Sequence, residues 1–164
     1  LLFHDPLYGR HIDIFFDKLD FYHVLLLKNR LEAEKLTLPL AELLLEKMQI
    51  AQINEKDLID TIMLLREHPL GKSDAETINV DIICALLAND WGFWRTVTGN
   101  LRLTYEIMDQ YSQLSEQDKL IVRDHIDELL AYIDKTPKST RWKLRSKVGE
   151  KVKWYKNVEE LADR

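Results

Sequence analysis

Lys47 is the residue of this chain whose type and position point most directly to chemistry. A helix opening at Pro39 would carry an apolar stripe of Leu40, Leu43, Leu44, Met48 and Ala51, and Lys47 falls inside it, one turn on from Leu43 and Leu44. An ammonium on an apolar face is costly unless it snorkels to solvent or meets an anion. A structural carboxylate would satisfy it, and so would a phosphate, for which a compact charge on a flexible stem is well suited. The following segment, Asn54-Glu55-Lys56-Asp57-Leu58-Ile59-Asp60, supplies two carboxylates. Asp57 stands where a capping-box residue would, behind Asn54, while Asp60 lies a turn further along, where capping does not account for it.

Asp13 is the second candidate. It lies in Arg10-His11-Ile12-Asp13-Ile14-Phe15-Phe16-Asp17, which alternates at the period of a β-strand. Ile12, Ile14 and Phe16 then share one face, expected to be buried, and His11, Asp13, Phe15 and Asp17 the other. A solvated sheet face gives the same pattern. His11 is close enough to Asp13 to assist at a metal or phosphate, or is a surface histidine. His4, His23, His68 and His125 have no partner at ligand spacing and read as structural or exposed.

The third candidate is electrostatic. From Lys135 to Lys156 there are nine Lys or Arg against the single acid Glu150, a local net of +8, while the rest of the chain holds 14 basic and 27 acidic residues. Within this stretch Trp142, Lys143, Arg145, Lys147, Lys151 and Lys153, with Trp154 and Tyr155, combine positive charge and flat rings. These could hold a phosphate backbone and stack an unpaired base, which makes tRNA or another nucleic acid a candidate partner. The same rings could instead anchor the helix to the acidic body of the molecule. Trp91, Phe93 and Trp94 read as core.

The elements that must position these groups are legible in outline. Short strands are expected near Leu1–Phe3, His11–Phe16 and His23–Leu27, the last with Tyr22, Val24 and Leu26 alternating, and Asp17–Asp20 as the turn between the second and third. Helices follow: Pro39 to Ile53, then Glu55 to His68 capped by Asn54 and stopped by His68-Pro69-Leu70-Gly71. Ser73 or Asp74 is expected to cap the next, continued by Asp81–Asn89. Trp91–Trp94 is expected to bend into a helix ending near Tyr111. Ser115 opens a helix to Lys135, Thr136-Pro137 breaks it, and a basic helix runs from Ser139 to Tyr155 before an acidic tail, Asn157–Arg164, expected to fray. The fold class is therefore α+β, a small N-terminal sheet followed by a mostly helical body, in which residues 1–70 and 71–164 pack as one unit.

Taken in order, the His11–Phe16 strand, the Glu42-x-x-x-Glu46-Lys47 helix and Lys56-Asp57-Leu58-Ile59-Asp60 resemble the back half of a minimal nucleotidyltransferase-like domain. The relatives in view are the abortive-infection type nucleotidyltransferase toxins and related bacterial proteins, and the resemblance covers about residues 10–68. In that superfamily a Gly-Gly or Gly-Ser turn precedes an Asp-x-Asp strand, a later strand supplies a third carboxylate, and the three acids hold divalent metal for transfer of a nucleoside monophosphate. The resemblance implies Asp13 as that third carboxylate, a Mg²⁺ ligand or the base for the attacking hydroxyl. It implies Lys47 as a clamp on the phosphates of an NTP substrate, with Asp57 or Asp60 orienting it and His11 nearby. These 164 residues contain neither the Gly-rich turn nor an Asp-x-Asp pair. The expectation is that those elements precede Leu1, whose apolar surroundings lack an initiator methionine, or that catalysis has been lost. The alternative is a non-catalytic nucleic-acid or protein-binding module acting through the basic C-terminal helix, or a structural interaction domain.

A chain with 46% hydrophobic residues can build one core at this length. Its longest apolar runs fall far short of the roughly 18–20 residues of a membrane span. Cys84, the single cysteine, sits in an apolar run and reads as a buried hydrophobe in a reducing compartment, so a soluble cytoplasmic protein with no membrane partner is expected.

Overall fold

The computed structural model describes residues 1–158; the greater part of the acidic tail, 159–164, lies outside the described residues. The architecture is α+β, as the pattern of the sequence implies. Two antiparallel hairpins come first, β1 (Leu2–Asp5) with β2 (Arg10–Asp13) and β3 (Lys18–Asp20) with β4 (Val24–Leu26). Helices α1 (Leu40–Met48) and α2 (Glu55–Glu67) follow, then a short parallel pair, β5 (Leu70–Gly71) and β6 (Ile78–Asn79). The body is completed by α3 (Val80–Leu87), α4 (Trp91–Ile107), α5 (Glu116–Lys135) and α6 (Thr140–Val148). One continuous apolar cluster runs from Leu19 and Leu25 through Leu44, Leu65, Ile83 and Leu101 to Ile133. No helix among the described residues is long and apolar enough to cross a membrane.

Helix starts are set by local chemistry that the sequence shows. Asn54 accepts from Asp57 N–H, Asp90 from Phe93 N–H and Ser139 from Trp142 N–H, and Ser115 with Asp118 forms a reciprocal capping box. Two starts differ from expectation. Asn79, rather than Ser73 or Asp74, caps α3, and α4 begins at Trp91 without a bend through Trp94.

Helix ends depart further, for tertiary reasons. α1 stops at Met48 instead of reaching Ile53, because Asn100 of α4 donates its amide to the carbonyls of Met48 and Ile50, at 2.9 Å each. Those carbonyls would otherwise need partners at the helix end. α6 ends at Val148 rather than Tyr155. Gly149 follows at φ +60°, a conformation that glycine adopts without steric cost, and Arg145 donates to the carbonyls of Gly149 and Val152. Residues 152–158 then run as a strap back over the body.

The N-terminal strands also differ. β2 ends at Asp13, and Ile12, Ile14 and Phe16 are exposed rather than buried, Phe16 at 64%. A two-stranded hairpin covers neither of its own faces, and among the described residues no helix or second sheet packs closely on this one. The stretch expected to turn, Lys18–Asp20, is a strand, and the turn lies at Phe21–His23, where Phe21 N–H donates to His23 C=O. The inward face of β4 is accordingly the opposite one: Leu25 and Leu27 are buried and Leu26 is exposed.

Candidate functional site

α1 and α2 meet so that Lys47, near the end of the first, faces the opening turn of the second. The buried stripe of α1 is Ala41, Leu44, Leu45 and Met48, which leaves Lys47 at its edge, half-buried. Its Nζ lies 3.3 Å from Asp57 Oδ1 and 3.1 Å from Asp60 Oδ2. Asn54 supplies the cap of α2 through its own side chain, so the Asp57 carboxylate turns to the lysine instead of closing a capping box. Burial disfavours the Lys47 ammonium, but hydrogen bonds and charge from Asp60 and Asp57 outweigh it, and the lysine is held above its ordinary pKa. It is a fixed cation between two carboxylates.

Lys47 stands between two hollows. One, of about 170 Å³, is bounded by Phe21 and Tyr22 from the β3–β4 turn, Glu46, Lys47, Gln49 and Ile50 from the end of α1, and Asp57. The other, wider and shallower, lies between Leu43 and Met63 on the far side of the Lys47–Asp60 pair. Gln49 is 1% exposed, and among the described residues neither its amide nitrogen nor its amide oxygen has a hydrogen-bond partner. The arrangement offers a cation and aromatic walls, with an unpaired amide buried beside them.

A second charged cluster fixes α1 from outside. The Arg30 guanidinium bridges Glu42, which is 2% exposed, and Asp74, and Asp74 also accepts from Asn79. The hydrogen bonds that Arg30 donates to Asp74 and Glu42 raise its own pKa, and the one to Asp74 lowers the Asp74 pKa. The cluster ties the loop after β4 to α1 and to the β5–β6 connection. Sequence reasoning missed Arg30 and Gln49; the one available signal was Glu42, an acid beside the apolar stripe of α1.

Asp13 and His11 stand elsewhere. Both are exposed on β2, Asp13 pairs in register with Leu2, the His4 and His11 rings lie 4.8 Å apart across the hairpin, and neither Asp13 nor His11 lines the hollows at Lys47. His4 thus has a neighbour that spacing alone did not reveal. Among the described residues no three His, Cys, Asp or Glu gather to hold a metal ion, so a two-metal centre around Asp13 is not assembled by them. The other histidines are structural in part: His23 is buried against Thr96, and His125 Nδ1 lies 2.6 Å from the Leu65 carbonyl oxygen.

In the basic segment the structure divides the candidates. Trp142 packs edge-on against Trp94 with centroids 5.1 Å apart, and Arg145 lies 4.6 Å over Trp91, so both anchor α6 to α4. Lys153 sits over Tyr155. Lys143, Lys147 and Lys151 are exposed, and so are Leu144, Val148 and Val152. The contacts of α6 with α4 thus run through Trp142 and Arg145 rather than through these apolar residues. No family model, curated protein or solved structure matches this chain.

Proposed function

We propose that this chain binds a nucleoside triphosphate through Lys47 and serves as the nucleotide-holding part of a nucleotidyltransferase-like protein. The observation that supports the reading is the convergence of Lys47, Asp57 and Asp60, three residues from two helices, of which Lys47 and Asp57 line a cleft with aromatic walls. A lysine oriented by two carboxylates keeps its full charge and a fixed direction, and can exchange one carboxylate for a phosphate oxygen while the other continues to hold its stem. Transfer of a nucleoside monophosphate to an acceptor additionally requires the Gly-rich turn and paired carboxylates that the resemblance implies, from residues outside these 164. The residues here bind and orient.

Calorimetric titration of the chain with ATP, GTP, CTP and UTP, with and without Mg²⁺, tests this together with inorganic tripolyphosphate. Replacing Lys47 by Met removes the charge but keeps the stem. Loss of a charge-assisted contact of about 1.5–3 kcal/mol should weaken triphosphate binding roughly ten- to hundredfold. Triphosphate binding that is absent, or unchanged in a Lys47→Met chain with a normal thermal melt, would sink the reading.

A further inference from the structure

A buried primary amide with both ends unpaired is costly, on the order of 1–3 kcal/mol for each orphaned group. Gln49 is such a residue: its two amide atoms are buried out of reach of solvent, on a side chain that lines the cleft beside Lys47. We propose that this cleft is a nucleobase pocket, into which the Gln49 side chain turns its amide to pair with the donor–acceptor edge of the base while Phe21 and Tyr22 flank its ring. The inference rests on the nucleotide-binding reading and names the part of the ligand that Lys47 does not touch.

Three features favour a base over other occupants. The cleft, at about 170 Å³ and open to solvent on one side, is roughly tenfold the 10–15 Å³ or so that one water needs by the same measure, which is room for a ring. A carboxamide presents a donor and an acceptor side by side, and a heterocycle with an adjacent acceptor and donor satisfies both at once, as glutamine does with N7 and N6 of adenine. The ring walls are held before any ligand arrives. Phe15 packs edge-on against Phe21 at 5.3 Å, and Tyr155 lies 6.0 Å from Tyr22, whose carbonyl accepts from Lys156 N–H at 2.9 Å. Rigid aromatic surfaces give contact area at little entropic cost. Lys47 on the same rim supplies a cation where phosphates attached to such a base could reach.

Nucleosides separate this inference from the phosphate reading, because they carry the base without the phosphates. The full chain is titrated with adenosine, guanosine, cytidine and uridine, and in parallel with inorganic tripolyphosphate. At least one nucleoside, adenosine foremost, should bind, and Gln49→Met, which keeps length and burial but removes both polar atoms, should weaken it about tenfold or more while leaving tripolyphosphate unaffected. Tyr22→Leu should weaken the same nucleoside by a similar factor and serves if the Gln49 variant fails to fold. Lys47→Met should do the reverse, reducing tripolyphosphate and sparing the nucleoside. If no nucleoside binds, or if it binds equally to the Gln49→Met and Tyr22→Leu chains, the pocket is not a base site and Gln49 serves internal water only. Tripolyphosphate binding that survives alongside that result leaves the Lys47 reading standing.

Discussion

The two N-terminal hairpins have the same pairing and opposite fates. Each is antiparallel, and each has a carboxylate at the end of a strand, Asp13 in β2 and Asp20 in β3. The β3–β4 hairpin is part of the core. Leu19, Leu25 and Leu27 join the central cluster, the His23 ring stacks on Phe93 at 4.9 Å, and its turn is held by the strap through Lys156. The β1–β2 hairpin pairs with itself, its ladder extended by Leu1 and Ile14, and presents Leu7, Tyr8, Ile12 and Phe16 to solvent. Alternation defines two faces of a strand, but what lies against a face decides whether it is a core or a surface.

The largest effect that separates the hairpins is loss of apolar packing. Leu25 is 3% exposed within the core cluster and Ile12 is 56% exposed. Leu25→Ala should cost about 2–5 kcal/mol of unfolding free energy, because it removes transfer energy and leaves a cavity. Ile12→Ala should fall within about 0.5 kcal/mol of the parent. Urea unfolding followed by far-UV circular dichroism measures both, and equal losses at the two positions would break the distinction.

Protonation offers a second, intermediate test. His23 is buried, and its Nε2 lies 2.8 Å from Thr96 Oγ1, which also accepts from Trp154 Nε1 at 3.1 Å. Burial lowers its pKa to about 4; the charge of Asp90 opposes this and that of Lys156 adds to it. In the unfolded chain the imidazole titrates near 6.5. Between these values the unfolded chain carries a proton that the folded one excludes, so the stability present above about pH 6.5 is lost as pH falls towards 4, by at most about 3 kcal/mol. Unfolding free energies at about pH 7 and about pH 5 should therefore differ more in the parent than in His23→Gln, whose side chain does not titrate. Parallel slopes for the two chains would show that the turn is not held by a neutral histidine.

What could be read from the sequence follows the range of the interactions concerned. Asn54, Ser115 and Ser139 act on amides three residues away, and their helices begin where those residues say. Asp57 or Asp60 as the partner of Lys47 came from the resemblance rather than from local pattern, and both pairs form because two consecutive helices joined by a short connection bring their facing ends together. Asn100 terminates α1 from 50 residues downstream, and Arg30 reaches Asp74 across 44, and no local pattern announces either. Gln49 was invisible for the complementary reason: a glutamine at a helix end looks like a surface residue until tertiary packing buries it. The exposure of Ile12 and Phe16 could not be read because apolar alternation is the same whether or not a second layer covers it.

The strap provides the finest comparison, since it could hold the β3–β4 turn by charge or by backbone. Lys156 does both: its ammonium pairs with Asp20, while its N–H donates to the Tyr22 carbonyl. Hydrogen bonds and charge from Lys156, and then Lys18, lower the Asp20 pKa, but both partners of the Lys156 pair are substantially exposed. Exposed pairs contribute about 0–1 kcal/mol and are screened by salt, because water solvates the separated charges nearly as well. Lys156→Ala should therefore lower stability by less than about 1 kcal/mol at low ionic strength, with the difference vanishing in about 1 M salt. Lys156→Pro removes the amide hydrogen as well and should cost more, at every salt concentration, because the Tyr22 carbonyl loses its donor. If Ala and Pro proved equally mild, the strap would be resting on the hairpin through Tyr155 against Tyr22, and the walls of the Lys47 cleft would owe their position to ring packing rather than to the backbone bond.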